Sequence, residues 1–253
     1  MQIQTTIQQT TYTADLSQPI VISLPLVHGE NNPNCFYAPT PVFEPVRAGN
    51  FVGATAEGGP VNFFNVSVNP HGNGTHTECV GHIARETYTI NQCLQQSHFP
   101  ALLVSVPVTE QDGDSLVTRE ALEQSCALFM PVPEALVIRT LPNGSNKQTM
   151  QYSGTNPPYI TAEAMGWIAS QGVQHLLVDI PSVDREQDNG VLAAHHIFWN
   201  YPANPRLQAT ITEMVFIPNE IPDGLYLVNI QVPGWELDAA PSRIALFPLR
   251  QMP

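Results

Sequence analysis

Twenty-four prolines are spread along this 253-residue chain without forming a low-complexity block. Proline lacks the N–H that a helix interior or an inner strand needs. Their spacing therefore limits the chain to short elements joined by rigid loops. The apolar runs between them fit that limit. "PIVISLPL" (Pro19–Leu26) is short, β-branched and closed by proline, which predicts a buried strand. In "VNFFNVSVN", Phe64, Val66 and Val68 alternate with Asn65, Ser67 and Asn69, which predicts a half-buried strand. Ala101–Val108, "EALVIRT", "HLLVDI", "ATITEMVFIP", "GLYLVNIQV" and "SRIALFPL" are further strand candidates. Three helices are predicted. One has Leu122, Cys126 and Phe129 at helical spacing behind a Thr118 cap. The second is "TAEAMGWIASQG", which starts at Thr161 and stops at Gly172, with Ala162, Met165, Ile168 and Ala169 as its apolar stripe. The third is "VLAAHHIFW". Strands alternating with helices in the middle, between strand-rich ends, predict a mixed α/β fold. No repeat or linker divides the chain, so one domain is expected over 1–253.

At 43% hydrophobic and 12% charged, the chain can build a core and is not disordered. A net charge of −13 argues against nucleic acid and anionic membrane surfaces as partners. No apolar run reaches the length of a membrane span, and the N-terminus has neither the basic start nor the apolar stretch of a secretory signal. A soluble, cytoplasmic protein acting on a small molecule is the expectation. Cys35, Cys79, Cys93 and Cys126 form no CxxC pair and are expected to be free thiols.

The densest chemistry lies in "NPHGNGTHTECVGH", Asn69 to His82. Histidine and carboxylate together are a ligand set for zinc, manganese or iron. His76 and Glu78 are two apart, so in extended backbone both can point the same way. Gly72 and Gly74 permit backbone conformations that bulkier residues resist, and the Thr75 hydroxyl can fix the local turn. His82 lies four residues after Glu78, which one helical turn would place beside the carboxylate. A histidine near a metal but not bound to it suits proton transfer. The competing reading is a histidine-rich turn of surface and core residues, and spacing alone leaves the two about even. Phe36 and Tyr37 sit in a polar loop, where they either line a pocket or pack back on the core. Ser182 lies near Asp179 and Asp184, but the chain has no GxSxG elbow. Cys79 lies between His76 and His82, where a buried apolar role outweighs a nucleophilic one.

The segment "GNGTHTECVGH" resembles the signature of the metal-dependent cyclase family, which includes the bacterial-type kynurenine formamidases. That pattern is His-x-Gly-Thr-His-x-Asp-x-x-x-His. Gly74, Thr75, His76 and His82 match it, and Glu78 stands in place of the aspartate. "VDIPSVDRE", "LAAHHIFW", "ITEM" around Glu213 and "DGLYLVNIQV…DAAPSRIALFPL" also look like the family, so the resemblance runs from about Ile20 onward. It implies a swivelling β/β/α domain, with a mixed sheet flanked by helices, a second small sheet, and residues 1–18 as an N-terminal extension. It implies that His76 and Glu78 bind metal and that His82 is the general acid/base. His195 or His196, with Glu213, would complete a second metal position; taken alone, Glu213 looks like a strand residue facing water. The implied cofactor is one or two divalent ions, zinc first and manganese as the alternative. The implied activity is hydrolysis of a formamide-like amide, a cyclic amide or a lactone, with Phe36, Tyr37 and Trp199 as candidate substrate-binding residues. The other function class is an inactive small-molecule-binding relative. A homodimer or larger homo-oligomer is implied, with no residue marking its interface. The family's first histidine falls at Gly72 here, and the histidine is one residue earlier, at His71. The intervening residues either bulge to return His71 to the metal or leave the metal one ligand short.

Overall fold

A computed structural model describes residues 1–7 and 9–252. The core is a nine-stranded mixed sheet. Numbering only its strands, these are β1 (Ile20–Val21), β2 (His76–Cys79), β3 (His98–Pro107), β4 (Ala135–Leu141), β5 (His175–Val178), β6 (Thr210–Glu213), β7 (Gly224–Gln231), β8 (Ala239–Pro241) and β9 (Arg243–Pro248). Their order across the curled sheet is β8-β2-β6-β5-β4-β3-β7-β9-β1. The four central strands, β3 to β6, run parallel, and every outer pairing is antiparallel. The sequence explains the centre. "ALVIR" and "HLLV" are near-continuous apolar runs, as strands covered on both faces must be.

Three helices carry crossovers of the parallel set: α1 (Arg119–Cys126), α2 (Ala162–Ser170) and α3 (Ala193–Trp199). The caps fall where the sequence put them, with the Thr118 and Thr161 hydroxyls accepting from the Ala121 and Ala164 N–H groups. The stripe of α2 is shifted from the expected one. Ala162 is exposed, and Ala164, Met165, Trp167 and Ile168 face the core. Leu102, Leu136, Leu176, Ile211 and the helix residues Leu122, Ile168 and Phe198 form the core on this face. Phe99, Leu103, Val137, Val228 and Ile244 form it on the other.

A second small sheet joins Thr109–Gln111, Asp114–Val117 and Tyr159–Ile160. The mixed sheet with flanking helices and a small second sheet is the expected architecture. Gln2–Ile7 pairs with Thr10–Asp15, which in turn pairs with Arg250–Gln251, and Ala14 packs beside Leu227 and Phe247.

Three expectations need correction. Of Pro19–Leu26, only Ile20–Val21 pairs in the sheet, at its edge. "VNFFNVSVN" is not half-buried. Phe64–Ser67 is exposed along its length and pairs with Val42–Pro45 in a two-stranded ribbon. Alternation records which side chains share a face, but not whether anything covers it. "ATITEMVFIP" stops as a strand at Glu213, because Met214 takes a left-handed backbone (φ 54°). No helix among the described residues is long and apolar enough to cross a membrane.

Candidate metal centre

The site is built on β2 and its two neighbours. His76 and Glu78 project from one face of β2, as the two-residue strand period requires. Antiparallel register sets Glu213 at the end of β6 directly opposite His76. Glu213 is buried, which corrects its reading as a strand residue facing water. One of its carboxylate oxygens accepts from the Val183 N–H, and the other lies 3.3 Å from His76 Nε2. His76 Nδ1 donates to the Gly74 carbonyl at 3.1 Å, which leaves Nε2 as the free lone pair.

His71 reaches the same place. Asn69 organises the turn: its side chain accepts from the Gly72 N–H, and its carbonyl accepts from the Asn73 N–H. A Cβ on Gly72 would lie 2.2 Å from the Ala38 Cβ, so the loop has no room for a side chain there. The histidine stands one residue earlier, with its Nδ1 3.1 Å from Glu78 Oε2 and its ring 5.4 Å from that of His76. His71 Nε2 donates to Asp238 at 2.8 Å. His82 sits on the short turn that follows β2, its Nδ1 3.8 Å from Glu78 and 3.5 Å from Asp238.

The fourth imidazole comes from α3. His195 Nε2 donates to Glu78 Oε1 at 3.1 Å, and its Nδ1 donates to Asp184 at 2.6 Å. Asp184 also accepts from the Ala194 and His195 backbone N–H groups, the free donors at the start of this helix. One carboxylate thus fixes both the helix end and the ring. His196 points elsewhere, with its Nδ1 on the Tyr201 carbonyl.

Electrostatics bind this cluster together. Burial works against a charged His71, but Asp238 and Glu78 outweigh it and push the ring up to about 10. Burial likewise opposes charge on His195, yet Asp184 and Glu78 push it up to about 10. Burial favours a neutral Glu78, and His82, His195 and His71 together hold it well below the usual carboxylate range. Hydrogen bonds from His71 and His82 hold Asp238 low as well.

Within this cluster two buried atoms have no hydrogen bond, His76 Nε2 and Glu78 Oε2. Each has an opposite partner nearby, but neither contact is aligned to form a bond. An orphaned buried polar atom is costly, and two on adjacent ligand-type residues signal an absent partner. Donor atoms of His71, His76 and Glu78 all lie within 4.8 Å of one another. So do those of Glu78, His82 and His195, and those of His71, His82 and Asp238. Imidazole nitrogens and carboxylate oxygens at these separations fit a divalent cation.

A cavity of about 180 Å³ opens beside the cluster, lined by Phe36, His71, His82, Arg185, Leu192 and His195 among others. Phe36 lines it as one expectation had it. Tyr37 does not; its side chain is 74% exposed and its N–H is held by Ser153. Trp199 does not either. It is fully buried in the core, with its indole N–H donating to the Ala209 carbonyl and its ring behind His195. Bulk and aromaticity suggested a wall, and packing used both for the core.

No serine triad forms, since Asp184 serves His195 and Asp179 binds Lys147 and Thr140. Cys79 is fully buried and a free thiol, and a side-chain hydrogen bond with Cys93 and burial raise it far above its usual range. Sequence reasoning missed Asp238 as a site residue. It lies in the quoted "DAAPSR" stretch, but 156 positions from His82, and only the pairing of β8 with β2 brings it near.

The family model for the cyclases matches residues 14–185, more than half of the chain. A kynurenine formamidase from Bacillus cereus is 25% identical over 195 residues, covering 76% of this chain and 83% of that protein. Among solved structures, isatin hydrolase A from Labrenzia aggregata, bound to benzyl benzoate, aligns with a TM-score of 0.65 at 14% identity, covering 90% of this chain and 93% of that one. A predicted metal-dependent hydrolase from Bacillus stearothermophilus aligns with a TM-score of 0.60 at 16% identity, covering 91% and 98%.

Proposed function

The chain belongs to the cyclase family, and from that premise we propose that it is a metal-dependent hydrolase of a formamide-like amide, with a cyclic amide or lactone as the alternative substrate class. The observation that carries the reading is the pair of orphaned atoms, His76 Nε2 and Glu78 Oε2, facing a space shared with His71. The similar kynurenine formamidase supports the formamide preference.

His71, His76 and Glu78 are the residues proposed to hold the ion, with His195 and Glu213 completing the site and Glu78 able to serve two positions. Zinc suits this nitrogen and oxygen set, and manganese is the alternative. A divalent ion bound there supplies a Lewis acid for the substrate carbonyl and lowers the pKa of water toward neutrality. His82 lies on the cavity wall, partly exposed and within reach of both Glu78 and Asp238. It takes the proton from the attacking water and returns it to the leaving nitrogen or oxygen. Asp238 orients the rings of His71 and His82. Asp184 orients His195, the carboxylate–histidine pairing typical of ligand rings. Phe36 and Leu192 give the substrate an apolar wall, and the small cavity restricts it to about one ring system. The proposed substrate is a small molecule, and the net charge of −13 speaks against nucleic acid as the partner.

The test is turnover of an aryl formamide, an isatin-type cyclic amide and an aryl lactone. Each is assayed with protein stripped by chelator and then reloaded with zinc or manganese. Activity that appears only on reloading, and most strongly on the formamide, is expected. Full activity in the stripped protein contradicts the reading.

A further inference from the structure

The four cysteines are all free and buried, but their surroundings differ. Cys126 and Cys35 are each the sole cysteine of a separate part of the core. Burial raises both thiols, Cys126 to about 11. Cys79 and Cys93 instead pack together in one small cluster with Ile90 and Ala240. Cys79 ends β2, and the short helix Ile90–Cys93 folds back against it. The two thiols are hydrogen-bonded, and this bond lowers Cys93 while it raises Cys79. Cys79 is therefore the donor, and the Cys93 sulfur is the acceptor. Of the four, Cys93 is the one held below its ordinary value. A sulfur with thiolate character is the nucleophilic one, and it is most reactive when a second cysteine stands beside it.

Cys93 also has access. It is 5% exposed and lies in the wall of a cavity of about 90 Å³, with Phe99, Glu134, Gln174 and His175. This cavity is separate from the one beside the metal centre. It opens where β4 and β5 begin, whereas Glu213 stands at the end of β6. It has room for a few water-sized molecules, and its polar wall suits a small oxidant that carries hydroxyl groups. Cys79 links the pair to the metal centre. It directly follows Glu78, and its N–H donates to the Asp238 carbonyl at 3.0 Å.

We propose that Cys93 and Cys79 are a peroxide-reactive pair that closes into a disulfide behind the metal centre. The Cys93 sulfur attacks one oxygen of a small hydroperoxide and the O–O bond breaks. Cys93 becomes a sulfenic acid, and its proton leaves on the water or alcohol released. The Cys79 sulfur then attacks the Cys93 sulfur. The S–O bond breaks, and the hydroxyl leaves as water with the Cys79 proton. Two thiols are oxidised and one hydroperoxide is reduced. Bonded sulfurs stand about 2 Å apart, closer than a hydrogen-bonded pair, so closure draws the end of β2 toward the helix beside Glu78. A dithiol reductant reverses the change. None of these steps needs a bound metal.

Peptide mass spectrometry of the wild-type chain after brief treatment with hydrogen peroxide tests this, with remaining thiols alkylated in denaturant. The expected product is a Cys79–Cys93 crosslink that disappears on reduction, with Cys35 and Cys126 still alkylated. Cys79→Ser is expected to leave Cys93 as a sulfenic acid that a cyclic dione traps. Cys93→Ser is expected to leave Cys79 a thiol. The link to the metal centre is read in metal-free protein by nuclear magnetic resonance. The imidazole signals of His71, His82 and His195 are expected to shift on oxidation and return on reduction. A wild-type chain without the crosslink overturns the proposal, and so does oxidation of all four cysteines at one rate, as unfolding would give. Unmoved imidazole signals beside a formed crosslink overturn the link to the metal centre.

Discussion

The two sides of the candidate site are built differently. One side is strand-borne. His76, Glu78 and Glu213 lie in paired strands, are buried, and are fixed by the register of β2 against β6. The other side is turn-borne. His71, His82 and Asp238 stand on loops, are each about a quarter to a third exposed, and depend on one another for orientation. A strand holds a donor at a position its neighbours dictate. A turn holds it only as firmly as its own hydrogen bonds. On the metallohydrolase reading, the strand side defines where the ion sits. The turn side, facing the cavity, handles substrate and protons.

Breaking the strand side should cost most. His76→Ala removes an orphaned donor at the centre, and activity is expected to fall by about 10³-fold or more, together with the bound metal. Asp184→Asn, which loosens His195 without touching the cavity, is expected to cut metal affinity by about 10–100-fold. Isothermal titration of the stripped protein measures it. Asp238→Asn on the turn side is expected to lower turnover with a smaller loss of metal, because His71 keeps its position from the Asn69 turn. An equal loss of metal in the two variants would erase the distinction drawn here.

The metal-free protein gives a pH test with a definite sign. His71 and His195 titrate near 10 when folded, against about 6.5 unfolded. Their stabilising contribution is complete below about 6.5 and is lost as pH rises through about 10. Thermal unfolding of stripped protein should therefore occur at progressively lower temperature between pH 7 and 10. Metal binding has the opposite sense, since neutral imidazoles are the ligands and each ion displaces protons. The smallest effect separates the two loop aromatics. Phe36→Ala is expected to raise KM several-fold, and Tyr37→Ala to leave kinetics unchanged.

The legibility of the sequence followed the same division. Where chemistry lay within one segment, spacing sufficed: His76 and Glu78 two apart on a strand, His82 one short turn later. Local signals also gave the helix caps and most sheet strands. His195 and Glu213 came only from family resemblance, because the contacts that matter for them are long-range. The displaced His71 could not be judged from sequence, since the deciding contact is between Gly72 and Ala38, 34 residues apart. The readings of Trp199 and of the Phe64–Ser67 strand failed for one reason. A pattern shows that a residue is apolar, whereas burial depends on what the rest of the chain brings against it.

His71, His76 and Glu78 are proposed to share a metal ion. Elemental analysis of untagged protein, beside His76→Ala, tests it most directly. One or two equivalents of zinc or manganese in the wild type, lost in the variant, is the predicted result. Wild-type protein that holds no metal after growth and purification with added divalent ions would contradict it.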